Sequence, residues 1–134
     1  MRTARNSWSL DAGAWRVTDS PECVTFTPPS DQAALQVSAS RREAGQVSES
    51  DLRSMAERTA AKYGVPVEVT QLGHFAGFAV EFEEPGHHWR RWWVAHGRSL
   101  LFITYNTAPV NRSVDRGAVD AILASLRPQS EGDA

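Results

Sequence analysis

The chain has 134 residues, with 14 Lys and Arg against 16 Asp and Glu, 41% hydrophobic residues and one cysteine. That length suits one domain, within the roughly 100–200 residues typical of one. No uncharged apolar run approaches the ~18 residues of a membrane helix. A single cysteine permits neither an internal disulfide nor a cysteine-rich metal site. A formal charge of −2 excludes a protein that coats nucleic acid, and the hydrophobic content excludes intrinsic disorder. Five tryptophans, and thirteen arginines against the single Lys62, stand out.

The first residues, Met1–Trp8, carry two arginines and no apolar stretch of secretory length, so no leader is expected in this segment. With the lone thiol of Cys23, this points to a cytoplasmic protein. Trp8 and Leu10, then Trp15 and Val17, lie two apart around the turn chemistry of Asp11–Ala14, and predict an N-terminal β-hairpin. Cys23–Thr27 is a further extended piece, with Cys23 read as a small buried hydrophobe. After the turn residues Pro28–Asp31, Leu35, Val37 and Ala39 alternate with Gln36, Ser38 and Ser40, as in a half-buried strand.

The period then changes. Leu52, Met55, Ala56, Thr59, Ala60 and Tyr63 form one helical stripe, capped by Ser48 or Ser50 and stopped at Gly64. From Val67 to Tyr105 the period returns to two: a strand at Val67 and Val69, another over Phe78–Phe82, a third over His88–Ala95 and a fourth over Leu100–Tyr105. Glu84-Pro85-Gly86 and Gly97-Arg98 are tight turns between them. Gly73 and Gly77 mark a bulge or a close backbone approach. A second helix is predicted over Val114–Leu126, with Val119, Ile122, Leu123 and Leu126 on one face. Gln129–Ala134 is a polar tail, which leaves a core of about 7–128. The expected fold is α+β: a twisted, mostly antiparallel sheet of six to seven strands with two helices.

This layout resembles the PsbP-like fold, an α/β/α sandwich. The resemblance rests on the N-terminal β-hairpin with Trp8 and Trp15, and on the helix Ser50–Tyr63 after the third strand. The meander Phe78–Phe82, Trp89–Ala95 and Leu100–Tyr105 and the closing helix Ala121–Leu126 complete it. It covers nearly the whole chain and includes no diagnostic motif, so it transfers no functional residue. It implies a non-catalytic adaptor or binding role, and some bacterial relatives act as chaperones for secreted effectors.

No nucleophile elbow, phosphate loop or dinucleotide fingerprint is present. His88 and His96 lie eight residues apart, about 26 Å along a strand, too far to share a metal. No metal or other cofactor is therefore expected. Glu81 and Glu83 share a face opposite Phe78, Val80 and Phe82, placed to pair across the hairpin with Arg90 or Arg91. An acid–base pocket would have to join His74, His88 and Glu81.

The segment His87–Trp93 is the most unusual. On a strand, Trp89, Arg91 and Trp93 face one way, and His88, Arg90 and Trp92 the other. Trp and Arg are the residues most enriched in interface hot spots. The candidate partner-binding residues are His88, Trp89, Arg90, Arg91 and Trp93. The expected function is a small non-catalytic protein-binding module: an adaptor, an effector chaperone or an immunity-type protein. The expected partner is another protein, with neither nucleic acid nor membrane involved, and the chain is a monomer or homodimer. The alternatives are a small-molecule-binding protein or enzyme with a His/Glu pocket, and a structural homodimer joined by strand edges.

Overall fold

Alternating side chains from Phe75 to Thr107 build three long strands, and the rest of the fold assembles on them. The computed structural model describes residues 2–5 and 7–129. Its strands are β1 (Arg2–Ala4), β2 (Trp8–Asp11), β3 (Arg16–Asp19), β4 (Val24–Thr27), β5 (Ala33–Arg41), β6 (Glu68–Leu72), β7 (Phe75–Glu84), β8 (His87–His96), β9 (Ser99–Thr107) and β10 (Arg127–Pro128). Helix α1 spans Glu49–Tyr63, a short 3₁₀ turn covers Pro109–Asn111, and α2 spans Arg116–Ala124. The fold is α+β. Seven strands form an antiparallel sheet in the order β3-β4-β5-β9-β8-β7-β6, and β1-β2-β10 form a separate small sheet.

Helix α1 has the predicted punctuation. The Ser48 hydroxyl accepts the Asp51 backbone N–H at 3.2 Å, and Gly64 ends the helix in the left-handed conformation at φ +67°. Leu52, Ala56 and Ala60 bury its apolar stripe against Phe78, Val80, Phe82 and Trp93. The other face of the sheet carries a larger core, in which Leu35, Val37, Trp92, Leu101, Ile103 and Tyr105 meet Val119, Ile122, Leu123 and Leu126 beneath β2. The two helices therefore cover opposite faces.

Two expectations change at the ends of the chain. Trp8 and Trp15 do not belong to one hairpin. β2 pairs with β1 and β10, whereas β3 pairs with β4 in the large sheet. The turn Ala12–Trp15 thus carries the chain between two sheets, and both indoles go into the core beneath them. Nor is Gln129 loose: its backbone N–H donates to the Ser7 carbonyl at 3.0 Å, continuing the β10 pairing. The remainder of the predicted tail, 130–134, lies outside the described residues. The second helix is shorter than predicted, because Ser125 closes it against the Ile122 and Leu123 carbonyls.

Gly73 and Gly77 are close-approach positions. A Cβ at Gly73 would collide with the Leu126 carbonyl oxygen, and one at Gly77 with the Trp93 carbonyl oxygen. Cys23 is only partly buried, beside Ser20 and Thr25, rather than a core residue. It precedes β4, in the turn where the Ser20 backbone N–H donates to its carbonyl at 3.0 Å.

Candidate functional site

The register of β8 decides what each residue of the Trp/Arg segment does. Trp89 pairs with Phe82 on β7 and with Asn106 on β9; Arg91 pairs with Val80 and Thr104; Trp93 pairs with Phe78 and Phe102. These three face the α1 side. His88, Arg90 and Trp92 face the α2 side, as the period of two requires.

On the α2 side Glu81, His88, Arg90 and Arg116 each meet a charged or imidazole partner, with Arg90 Nη1 buried and lacking a hydrogen bond. Glu81 accepts both terminal nitrogens of Arg116, at 2.7 and 2.9 Å, and His88 Nε2 lies 2.7 Å from the same carboxylate. His88 Nδ1 lies 2.9 Å from Glu83. An imidazole with a carboxylate on each nitrogen makes both bonds when both nitrogens carry protons. His88 is 5% exposed and so presents almost nothing to solvent. The Arg116 fork, aided by His88 against the cost of burial, holds the Glu81 carboxyl down at about 2. Arg90 reaches Asp120 on α2 at 2.9 Å and lies over the Trp92 ring. The Tyr105 hydroxyl donates to Asp115, and burial raises it to about 12.

This network ties α2 to the β7–β8 hairpin. Glu81 thus pairs with Arg116 rather than with Arg90, because the fork from the helix reaches both of its oxygens. His88 and Arg90 consequently act as supports between α2 and the hairpin, His88 buried and Arg90 mostly so. Trp93 is 6% exposed beneath α1 and is likewise structural.

The α1 side is different. Among the described residues, helix α1 packs over β7 and β8, touches β9 through the cluster that includes Leu100 and Phe102, and leaves β5 and β4 uncovered on that side. Beside it lies a sheet face made of Trp89 and Arg91 from β8, Phe102 and Thr104 from β9, Gln36 and Ser38 from β5, and Thr25 from β4. All of these are partly exposed. Six of them line a shallow depression of about 280 Å³.

Trp89 is held rigidly there. Its indole N–H donates to Glu84 Oε1 at 2.9 Å, and the Tyr63 hydroxyl donates to Glu84 Oε2 at 2.7 Å. These bonds, the Tyr63 one foremost, hold the Glu84 carboxyl below its ordinary value. Tyr63 stacks on Phe82 at 3.8 Å, and Phe82 on Trp89 at 6.4 Å. The Arg91 guanidinium lies over both Trp89, at 4.7 Å, and Phe82, at 5.0 Å. Of the five predicted contact residues, Trp89 and Arg91 occupy this face. Sequence reasoning missed Gln36, Ser38, Phe102 and Thr104, although the polar half of the β5 alternation was the available signal.

The predicted acid–base set does not assemble. His74 lies in the turn just before β7, seven residues from Glu81, or about 23 Å of extended chain. Its carbonyl accepts from His96 Nδ1 at 3.2 Å. These two histidines border an open groove of about 740 Å³ between the start of α1 and β6, with Val47, Leu52, Gln71 and Ala76. No cluster of three or more metal-ligating side chains occurs among the described residues. Nor is any described helix long and apolar enough to cross a membrane.

Comparison with known proteins identifies a fold relative but no function. No family model matches the chain, and no curated protein does. Among solved structures, the chain is similar to a protein from Bacteroides thetaiotaomicron VPI-5482, with a TM-score of 0.67 and 14% identity. The match covers 94% of this chain and 46% of that one, so the chain spans about half of its structural relative. The likeness is one of α+β fold.

Proposed function

We propose that this chain is a non-catalytic protein-binding module that docks its partner on the uncovered sheet face between α1 and β4. The observation that carries the reading is the state of Trp89 and Arg91. One is a preset aromatic and the other a stacked cation, both partly open to solvent, on a flat surface of neutral polar side chains. Interface cores favour aromatic and arginine anchors that are rigid before binding, because less side-chain freedom is then lost. The layout resemblance to PsbP-like proteins agrees with an adaptor or chaperone role, and the single cysteine agrees with a cytoplasmic one.

The test is quantitative capture from lysate of the source organism. Gln36→Arg and Thr104→Arg place bulky charge on the face at partly exposed positions. Glu57→Arg does the same on the exposed side of α1. Proteins retained by the wild type and by Glu57→Arg should be lost from both face variants. Equal retention by all four would refute the reading.

A further inference from the structure

The partner's chemistry can be taken one step further, and this step rests on the binding face just proposed. Every other arginine of the β7–β8 and α2 region named above has an acidic partner: Arg90 has Asp120, and Arg116 has Glu81. Arg91 has no carboxylate within ion-pair distance among the described residues; its Nε is buried, and its two terminal nitrogens, which make no hydrogen bond there, are the part that lines the depression. The nearby Glu84 is engaged by Tyr63 and Trp89, and the positive charges of Arg91 and Lys62 both act on it. Glu84 is therefore already engaged beside Trp89 and forms no ion pair with Arg91.

A guanidinium lying flat on aromatic rings keeps the edge of its two terminal nitrogens free, and that edge matches a carboxylate in a two-bond fork. The remaining lining of the depression is Gln36, Ser38, Phe102 and Thr104. It contributes amide and hydroxyl groups for a polar backbone and one apolar ring, and no competing charge. The volume of about 280 Å³ falls just below the roughly 300–1,000 Å³ of pockets that enclose a small molecule. A depression of that size on a flat face accepts one side chain of a larger partner.

We infer that the uncovered face binds a protein segment through an Asp or Glu side chain seated on Arg91. The segment lies across β8, β9 and β5. Its carboxylate accepts from the Arg91 fork, and its adjoining backbone bonds with Gln36, Ser38 and Thr104.

The experiment uses a panel of capped nonapeptides with a central Glu or Asp, each with a Gln or Asn twin. Binding is followed by NMR at the Trp89 indole N–H and the Arg91 Nε–H. Proteins are the wild type, Arg91→Met, which keeps the apolar stem over the rings, and Arg91→Lys. Acidic peptides that move the Trp89 signal should bind the wild type at least tenfold more tightly than their amide twins. Arg91→Met should erase that advantage, and Arg91→Lys should keep part of it.

Peptides that bind the face with no preference for acid would overturn this inference and leave the binding face standing. Peptides that bind without moving Trp89, or a panel with no binder at all, would overturn both. Sodium acetate binding as tightly as the acidic peptides would assign Arg91 to a small carboxylate and overturn the protein segment.

Discussion

Replacing Glu81 with glutamine removes the anchor between α2 and the β7–β8 hairpin. Glu81 is ionised in the fold, with its carboxyl held at about 2 against 4.5 for a free side chain. Because the folded value is the lower one, its stabilisation is complete above pH 4.5 and is lost as pH falls toward 2. A difference of that size corresponds to an upper bound of about 3 kcal/mol. The Glu81 side chain is 35% exposed and Arg116 is 43% exposed, so solvent screening lowers the expectation to about 1–2 kcal/mol. Urea unfolding at pH 7 should show Glu81→Gln less stable by that amount, with a melting temperature lower by roughly 3–8 °C. At pH 3, between the two values, less than about half of the gap should remain. A gap below about 0.3 kcal/mol at pH 7, or one unchanged at pH 3, would refute the assignment of Glu81 as an ionised anchor.

Other substitutions separate support from surface. Trp93→Ala should cost about 3–5 kcal/mol, as for other buried aromatics, whereas Arg91→Met should cost under about 1 kcal/mol by the same unfolding measurement. Gly77→Ala should destabilise by about 1–3 kcal/mol or more, because its methyl group meets the Trp93 backbone rather than a movable side chain. Ser48→Ala should lower stability by about 1 kcal/mol through loss of the α1 cap. Trp8, Trp15, Trp92 and Trp93 are each at most 9% exposed. Iodide should therefore quench chiefly Trp89, and Trp89→Phe should remove most of the quenching.

The strands that carry the site were readable from period alone. Phe78, Val80 and Phe82 on one face and Glu81 and Glu83 on the other follow from backbone geometry, and so does the split of Trp89, Arg91 and Trp93 from His88, Arg90 and Trp92. The division of the N-terminal segment between two sheets was not readable. Trp8 and Trp15 have the spacing of strand residues whichever sheet receives them, and the choice depends on the distant β10. Burial at the site was hidden for the same reason. His88 and Trp93 are equally plausible surface residues until Arg116 and α1 arrive from elsewhere in the chain. The uncovered face exists because α1 sits over β7 and β8 rather than centrally. That offset comes from docking between helix and sheet, which no local pattern encodes.

Site-specific photocrosslinking in cells tests the binding face most directly. A benzophenone side chain at position 104 lies in the centre of the uncovered face, and one at position 57 lies on the exposed side of α1. The account predicts a discrete protein adduct from position 104 that is absent from position 57 and is lost when Arg91→Met is added. An adduct from position 57 alone would contradict the binding face, and one from position 104 that survives Arg91→Met unchanged would contradict the carboxylate seat on Arg91.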